Sequence, residues 1–128
     1  MIVIHHNPKC GTSRNVLAAI RASGTEPVVI EYLKTGWTEP QLLGLFAAAG
    51  LTPQQALRSR EPKAAALSAA DDVTVLAAMI AEPVLVERPI VCSPKGVRLC
   101  RPSEQVIDLL EHPLPEGFAK EDGTPFAR

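Results

Sequence analysis

The sequence predicts a small α/β domain, and three parts of the chain support that prediction. Residues 2–5 suit a short buried strand, residues 12–22 have the apolar spacing of a helix, and residues 28–30 are a β-branched run. A strand, a helix and a strand within about 30 residues form a βαβ unit, whose two strands run parallel. After it, residues 38–83 predict a helical insert, and residues 90–110 predict a β-hairpin followed by a helix.

Helix start and stop signals define the insert. Thr38 stands three residues before a glutamine, which is capping-box spacing, and the apolar positions that follow end at Gly50. Thr52 repeats the start signal. Asp72 is placed to cap another helix, which must end near Pro83 because proline cannot continue it.

The last third of the chain predicts a hairpin, a helix and a tail. Strand-like segments at residues 90–92 and 97–99 flank a four-residue turn, which is typical of a β-hairpin. Pro102 stands at the start of a helix with apolar residues on one face. From Glu111 the chain is polar and contains several prolines and glycines, so we expect loop or fraying there.

Length, net charge and hydrophobic patterning exclude several classes of protein. A length of 128 residues suits one domain, so we predict a single domain over residues 1–128 that includes the insert at about 38–83. The formal net charge of −1 argues against a nucleic-acid or membrane partner recruited by bulk charge. No apolar run reaches membrane-spanning length, and the chain enters a strand without a signal-peptide pattern. We therefore expect a cytoplasmic protein.

The cysteine pattern argues against disulfide chemistry within the chain. Three cysteines without close pairs do not form a disulfide framework, and reduced thiols fit a reducing compartment. Position 13 is a serine, so there is no Cys-x-x-Cys motif and a dithiol oxidoreductase acting alone is disfavoured. We expect Cys92 and Cys100, in the hairpin strands, to be packing residues.

Cys10 is the candidate nucleophile. It stands where the first strand turns into the first helix, and the amides of a helix start bind anions and lower the pKa of a thiol. The alternative is a buried structural cysteine, which is the usual state of a free cysteine. The candidate oxyanion-binding residues beside it are Gly11, Thr12, Ser13 and Arg14; for Ser13 the alternative is a hydrogen bond to the helix backbone.

Two adjacent histidines precede this turn. His5 and His6 would point to opposite faces of a strand, so we expect one to be packed and the other to lie near Cys10. Neighbouring strand residues do not converge, so no metal site is predicted. His6 is a candidate to orient the thiolate; a purely structural hydrogen bond is the alternative.

The order of elements, with a cysteine at the first helix start, resembles the thioredoxin/glutaredoxin architecture: βαβ, helical insert, ββα, with a small mixed sheet. In that architecture the X-Pro peptide before the third strand faces the cysteine. The resemblance therefore implies that Arg88 lies over the thiol and that Pro89 is a candidate cis-proline.

Longer motifs make the resemblance more specific. The blocks that carry it are residues 6–15, 23–27, 87–91, 98–104 and 118–123. In these blocks, and over nearly its whole length, the chain resembles the glutaredoxin-dependent arsenate reductases. Spx-type regulators share that fold but usually carry a different segment around the cysteine.

The resemblance assigns roles to individual residues. It implies that Cys10 is catalytic and that His6 lies near it. It also implies an oxyanion site of three arginines, which are Arg58, Arg88 and Arg101. The segment after Arg58 is one residue shorter than is usual in the family, so Arg58 and Arg60 are both candidates for the first arginine.

The implied activity is reduction of arsenate to arsenite. Glutathione would be the co-substrate and glutaredoxin the protein partner, with no bound cofactor and no metal. Two alternatives stay open at this point. One is an Spx-like redox-responsive regulator that binds RNA polymerase, and the other is a glutathione-linked thiol transferase. Arsenate-dependent turnover separates them from the reductase.

Overall fold

A four-stranded mixed sheet organises the part of the chain that carries Cys10. The structure is a computed structural model and describes residues 1–127. The strands are β1 (Val3–His6), β2 (Val28–Glu31), β3 (Ile90–Ser93) and β4 (Gly96–Leu99). Their order is β2-β1-β3-β4; β1 and β2 are parallel, and the other neighbours are antiparallel. The predicted βαβ unit and hairpin are thus confirmed.

Helix α1 (Gly11–Ala22) packs its apolar face against this sheet. Val16 and Ile20 recur at helical spacing and are fully buried, as is Ile4 on β1. A 3₁₀ helix, Ser103–Leu109, forms where a helix is predicted after Pro102, and it adds Val106 to the same core. Because strand and helix are fixed by one core, the turn between β1 and α1 has a defined position.

Residues 111–127 form no helix or strand, as expected for a loop, but the expected fraying is not seen. Phe126 is only 6% exposed and meets Phe118 edge to face, with 5.4 Å between ring centroids. Ala119 and Pro125 form a β-bridge between them. Two aromatic rings outweigh the polar composition of the segment, because together they bury a large apolar area.

A second compact unit spans Tyr32–Glu87 and contains the predicted insert. Its α-helices are α2 (Tyr32–Thr35), α3 (Glu39–Ala49) and α4 (Asp72–Ala81), and its 3₁₀ helices are Pro62–Leu67 and Pro83–Leu85. Leu42, Phe46 and Met79 are among its buried side chains. The assignment of the whole chain to a single domain stays a prediction.

Of the three helix starts predicted in the insert, one is confirmed, one lies one residue away from its predicted position, and one is not followed by a helix. Thr38 caps α3 through a complete capping box with Gln41, as predicted. The cap of α4 is Asp71 rather than Asp72, and its carboxylate accepts the amide of Thr74 at 2.8 Å. At Thr52 the reciprocal bonds to Gln55 form, but only a turn follows.

The failed helix has a tertiary cause. Immediately after the turn, Leu57 pairs with Val86 in an isolated β-bridge. The Arg58 amide donates to the Leu85 carbonyl at 2.8 Å, so the chain is drawn into extended pairing before a helix can grow. No helix within residues 1–127 is long and apolar enough to cross a membrane.

Candidate active site

Cys10 occupies the N-cap of α1, with extended backbone angles of φ −100° and ψ 121°. Its amide donates to the Asn7 carbonyl at 3.1 Å, and the Arg14 amide donates to its carbonyl at 3.0 Å. The Lys9 amide donates to the Asn7 side chain at 2.9 Å and completes the turn. These bonds direct the half-buried thiol toward the start of the helix, where backbone N–H groups lack intrahelical acceptors.

His6 contacts Ser13 in this structure. Nδ1 of His6 and Oγ of Ser13 lie 2.6 Å apart, and the Asn7 amide donates to the same Oγ at 3.1 Å. Burial lowers the pKa of His6, which favours the neutral ring. The backbone of Ser13 also lowers the pKa of the Cys10 thiol, so the predicted orienting role of His6 would act through Ser13, and it stays a prediction. His5 is also buried.

Two arginines distant in sequence converge on the thiol. Nη1 of Arg101 lies 3.7 Å from the Cys10 sulfur and donates to the Arg88 carbonyl at 3.1 Å. Arg88 is 6% exposed, and its positive charge also acts on Cys10. Both X-Pro peptides here, Arg88–Pro89 and Arg101–Pro102, are cis. The second was not predicted.

These surroundings favour the thiolate. Burial by itself raises the pKa of the Cys10 thiol, but the Ser13 amide, the Arg101 guanidinium and the Arg88 charge outweigh it, so the pKa is lowered. Burial raises the pKa of Cys92, and it raises that of Cys100 to about 12. Cys10 is therefore the thiol suited to nucleophilic chemistry.

This difference predicts selective alkylation. Iodoacetamide at neutral pH is expected to modify Cys10 first, because only ionised thiols react at an appreciable rate. The rate should rise with pH and level off below the range in which a free cysteine levels off, while Cys100 stays unmodified in the folded protein. Peptide mass spectrometry over a pH series measures this. Equal rates at Cys10 and Cys92 would contradict the assigned environment.

The helix-start amides divide into two groups. The Ser13 amide lowers the pKa of the Cys10 thiol, and the Arg14 amide donates to the Cys10 carbonyl. Those of Gly11 and Thr12 belong to the first turn, where a helix supplies no acceptor. Gly11 and Thr12 are accordingly the better candidates for binding an oxyanion through the backbone.

Arg14 has another set of partners. Its Nε and Nη2 donate to the Glu121 carboxylate at 3.1 and 2.7 Å, and its Nη1 donates to the Pro8 carbonyl at 2.9 Å. All three nitrogens are thus engaged, and its predicted contact with an oxyanion stays a prediction. The sequence analysis missed Glu121; its only signal was membership of the matching block 118–123.

Arg58 belongs to the second unit. Its side chain is largely buried, with Nη1 2.9 Å from the Glu87 carboxylate and Nε 3.6 Å from Glu61. Arg60 is exposed. The structure thus distinguishes a held guanidinium from a solvated one, and the role of Arg58 toward an anion stays a prediction.

Within residues 1–127, no group of three or more His, Cys, Asp or Glu side chains is placed to hold an ion. The chemistry available at this site is that of a thiolate beside two guanidinium groups.

Comparison with known proteins places this arrangement in a family. A profile of the ArsC family matches residues 5–109, which include Cys10, Arg88 and Arg101. The chain belongs to the ArsC family. Among relatives of this ArsC-family protein, arsenate reductase ArsI2 of Synechocystis is 64% identical over 128 aligned residues, covering 96% of this chain and 91% of the relative.

More distant relatives carry the same name. The arsenate reductase of Escherichia coli K12 is 44% identical over 126 residues, covering 95% of this chain and 89% of the relative. The solved arsenate reductase of Vibrio cholerae superposes with a TM-score of 0.79 at 38% identity, covering 85% of this chain and 97% of that one. The ArsC-family protein therefore has a thioredoxin-like fold, as the resemblance implied.

Proposed function

We propose that this protein is an arsenate reductase, an oxidoreductase that converts arsenate to arsenite through the Cys10 thiolate. The observation that carries the proposal is the contact of the Arg101 guanidinium with the Cys10 sulfur, next to the buried Arg88. The nucleophilic sulfur therefore lies beside guanidinium groups that can bind an oxyanion. The names of the relatives give the substrate.

The first step is nucleophilic attack on arsenic. The arsenate oxygens bind to the guanidinium groups of Arg88 and Arg101 and to the amides of Gly11 and Thr12. The Cys10 sulfur forms a bond to arsenic, and one arsenate oxygen leaves as water after taking up protons. Arsenic remains As(V) in this thiol–arsenate adduct. Neutralisation of the oxyanion is the main contribution of the guanidinium groups, because a thiolate and an arsenate repel each other.

The second step transfers two electrons. Glutathione thiolate attacks the Cys10 sulfur of the adduct, and a sulfur–sulfur bond forms. The sulfur–arsenic bond breaks with its electron pair going to arsenic, which leaves as As(III) in arsenite. Glutaredoxin thiolate then attacks the glutathione sulfur of the mixed disulfide, and Cys10 is released as thiolate.

The need for outside thiols follows from the other cysteines. Ser13 stands where a Cys-x-x-Cys motif would place the resolving thiol, and its hydroxyl is engaged with His6. Cys100 is fully buried with a pKa near 12, which makes it a poor attacking group at neutral pH. Burial also raises the pKa of Cys92, so we take both electrons to come from external thiols.

A coupled assay tests the proposal. Arsenate, glutathione, glutaredoxin and glutathione reductase are combined with the protein, and NADPH oxidation is followed. The expected rate depends on all four components and falls to background when arsenate is omitted. A rate that persists without arsenate would point to a thiol transferase, and no rate under any condition would contradict the reductase.

A further inference from the structure

The tail loop (residues 118–126) has a defined conformation next to α1. Besides the Ala119–Pro125 bridge, the Lys120 amide donates to the Thr124 carbonyl at 2.9 Å, and the Phe126 amide donates to the Phe118 carbonyl at 3.2 Å. These bonds close the loop into a hairpin-like turn with Glu121 near its tip. Its two ends are fixed in the core by the aromatic pair.

Contacts on both sides of Glu121 hold the loop in place. The Glu121 amide donates to the Asn15 side chain of α1 at 2.9 Å. Lys120 pairs with Glu104 at 2.9 Å, and both of these side chains are mostly buried. Glu104 lies three residues after Arg101, so the loop contacts the two segments that meet at the Cys10 sulfur.

Through Arg14, Glu121 reaches the turn that carries the nucleophile. Its carboxylate binds Arg14 in a two-pronged ion pair, and Arg14 in turn holds the Pro8 carbonyl at 2.9 Å. A Cβ atom on Gly11 would come within 3.4 Å of Oε1 of Glu121, which shows how closely the carboxylate approaches the helix start. An exposed ion pair is usually weak because ordering two long side chains is costly. Here the loop backbone already fixes Glu121, which reduces that cost.

We propose that Glu121 is a positioning residue of the Cys10 site: it fixes Arg14 on the Pro8 carbonyl and thereby holds the turn that presents the thiolate. Arg14 then acts on the turn and not as an oxyanion ligand. The inference goes beyond the proposed function in assigning the tail loop to the site, and its kinetic arm rests on that function.

The alkylation rate of Cys10 tests the proposal without arsenate. Glu121→Ala removes a negative charge near the start of α1, which on electrostatic grounds alone would lower the thiol pKa and speed alkylation at pH 7. Loosening of the turn has the opposite effect: it raises the thiol pKa and slows alkylation, because the Ser13 amide and Arg101 lose their alignment with the sulfur. We expect alkylation about threefold slower in Glu121→Ala, and an intermediate rate in Glu121→Gln, which keeps one acceptor.

Glu116→Ala is the matched control. Glu116 is an exposed glutamate just before the tail loop, and its substitution is expected to leave the rate unchanged. An unchanged or faster rate in Glu121→Ala would overturn the proposal. This result is independent of arsenate turnover, so a failure of the proposed function and a failure of the positioning role are told apart.

Steady-state kinetics with arsenate provide a second test of the positioning role. Arg14→Ala and Glu121→Ala are expected to lower kcat by similar factors of about three to ten, with KM for arsenate unchanged. The double variant should be no slower than Arg14→Ala, because Glu121 acts through Arg14, whereas the Arg14 charge also acts directly on Cys10. A rise in KM for arsenate in Arg14→Ala alone would make Arg14 an oxyanion ligand and overturn the proposal.

Discussion

Replacement of Cys10 by serine is expected to abolish arsenate reduction, with a loss of at least about 1,000-fold in kcat. A serine hydroxyl is nearly the same size as the thiol but stays protonated at neutral pH, so no nucleophile is formed. The Ser13 amide and Arg101 stabilise a charge on sulfur, and the hydroxyl carries none. The coupled NADPH assay measures the loss, and thermal unfolding confirms that the variant is folded.

Cys92→Ser is the matched control for this substitution. Cys92 is half-buried, as Cys10 is, but burial raises the pKa of its thiol, so activity should be largely retained. Cys100→Ser should also retain most activity, at a cost in stability because Cys100 is fully buried. Equal losses in all three variants would contradict a scheme with one nucleophilic thiol.

Arg101→Lys is expected to lower kcat/KM for arsenate about 100-fold, even though the positive charge is kept. Nη1 of Arg101 serves both the Cys10 sulfur and the Arg88 carbonyl, and the guanidinium charge also acts on that sulfur. An ammonium group is a point charge on a flexible chain and cannot reproduce this planar arrangement. Arg88→Lys should have a similarly large effect, because Arg88 is buried and its charge acts on the same sulfur.

Arg21→Lys provides the control. Arg21 is an exposed residue of α1 whose guanidinium pairs with Glu26 at 3.0 Å, so the same change in chemistry should leave the kinetics unaltered. Unaltered kinetics in Arg101→Lys would remove Arg101 from the site. A higher KM for arsenate with kcat unchanged would restrict the role of Arg101 to substrate binding.

The local elements were predictable because their signals lie within a few residues of one another. The capping box at Thr38 and the apolar stripe of α1 act over one or two helical turns, and both are present as predicted. Thr52 shows the limit of such signals. Its capping bonds form, yet Leu57 is drawn into a bridge with Val86, and that partner is 29 positions away.

For the candidate site, too, only the local feature was predictable from the residues themselves. Cys10 stands at a strand-to-helix turn, a feature visible in a dozen consecutive residues. The nearness of Arg88 and Arg101 followed from a resemblance, since no local pattern distinguishes them from surface arginines. Arg14 was assigned to the oxyanion from its place in the first turn of α1, and its partner Glu121 is 107 residues away.

Residue order was thus enough to establish a βαβ unit, a hairpin and a cysteine at a helix start. Short-range hydrogen bonding and apolar periodicity act along the chain, and they need no knowledge of the fold. The charge around the sulfur, and the tail loop that holds Arg14 on Pro8, came from folding. Electrostatic and ion-pair contacts depend on distance in space, and burial of Phe126 in the core brings Glu121 beside α1.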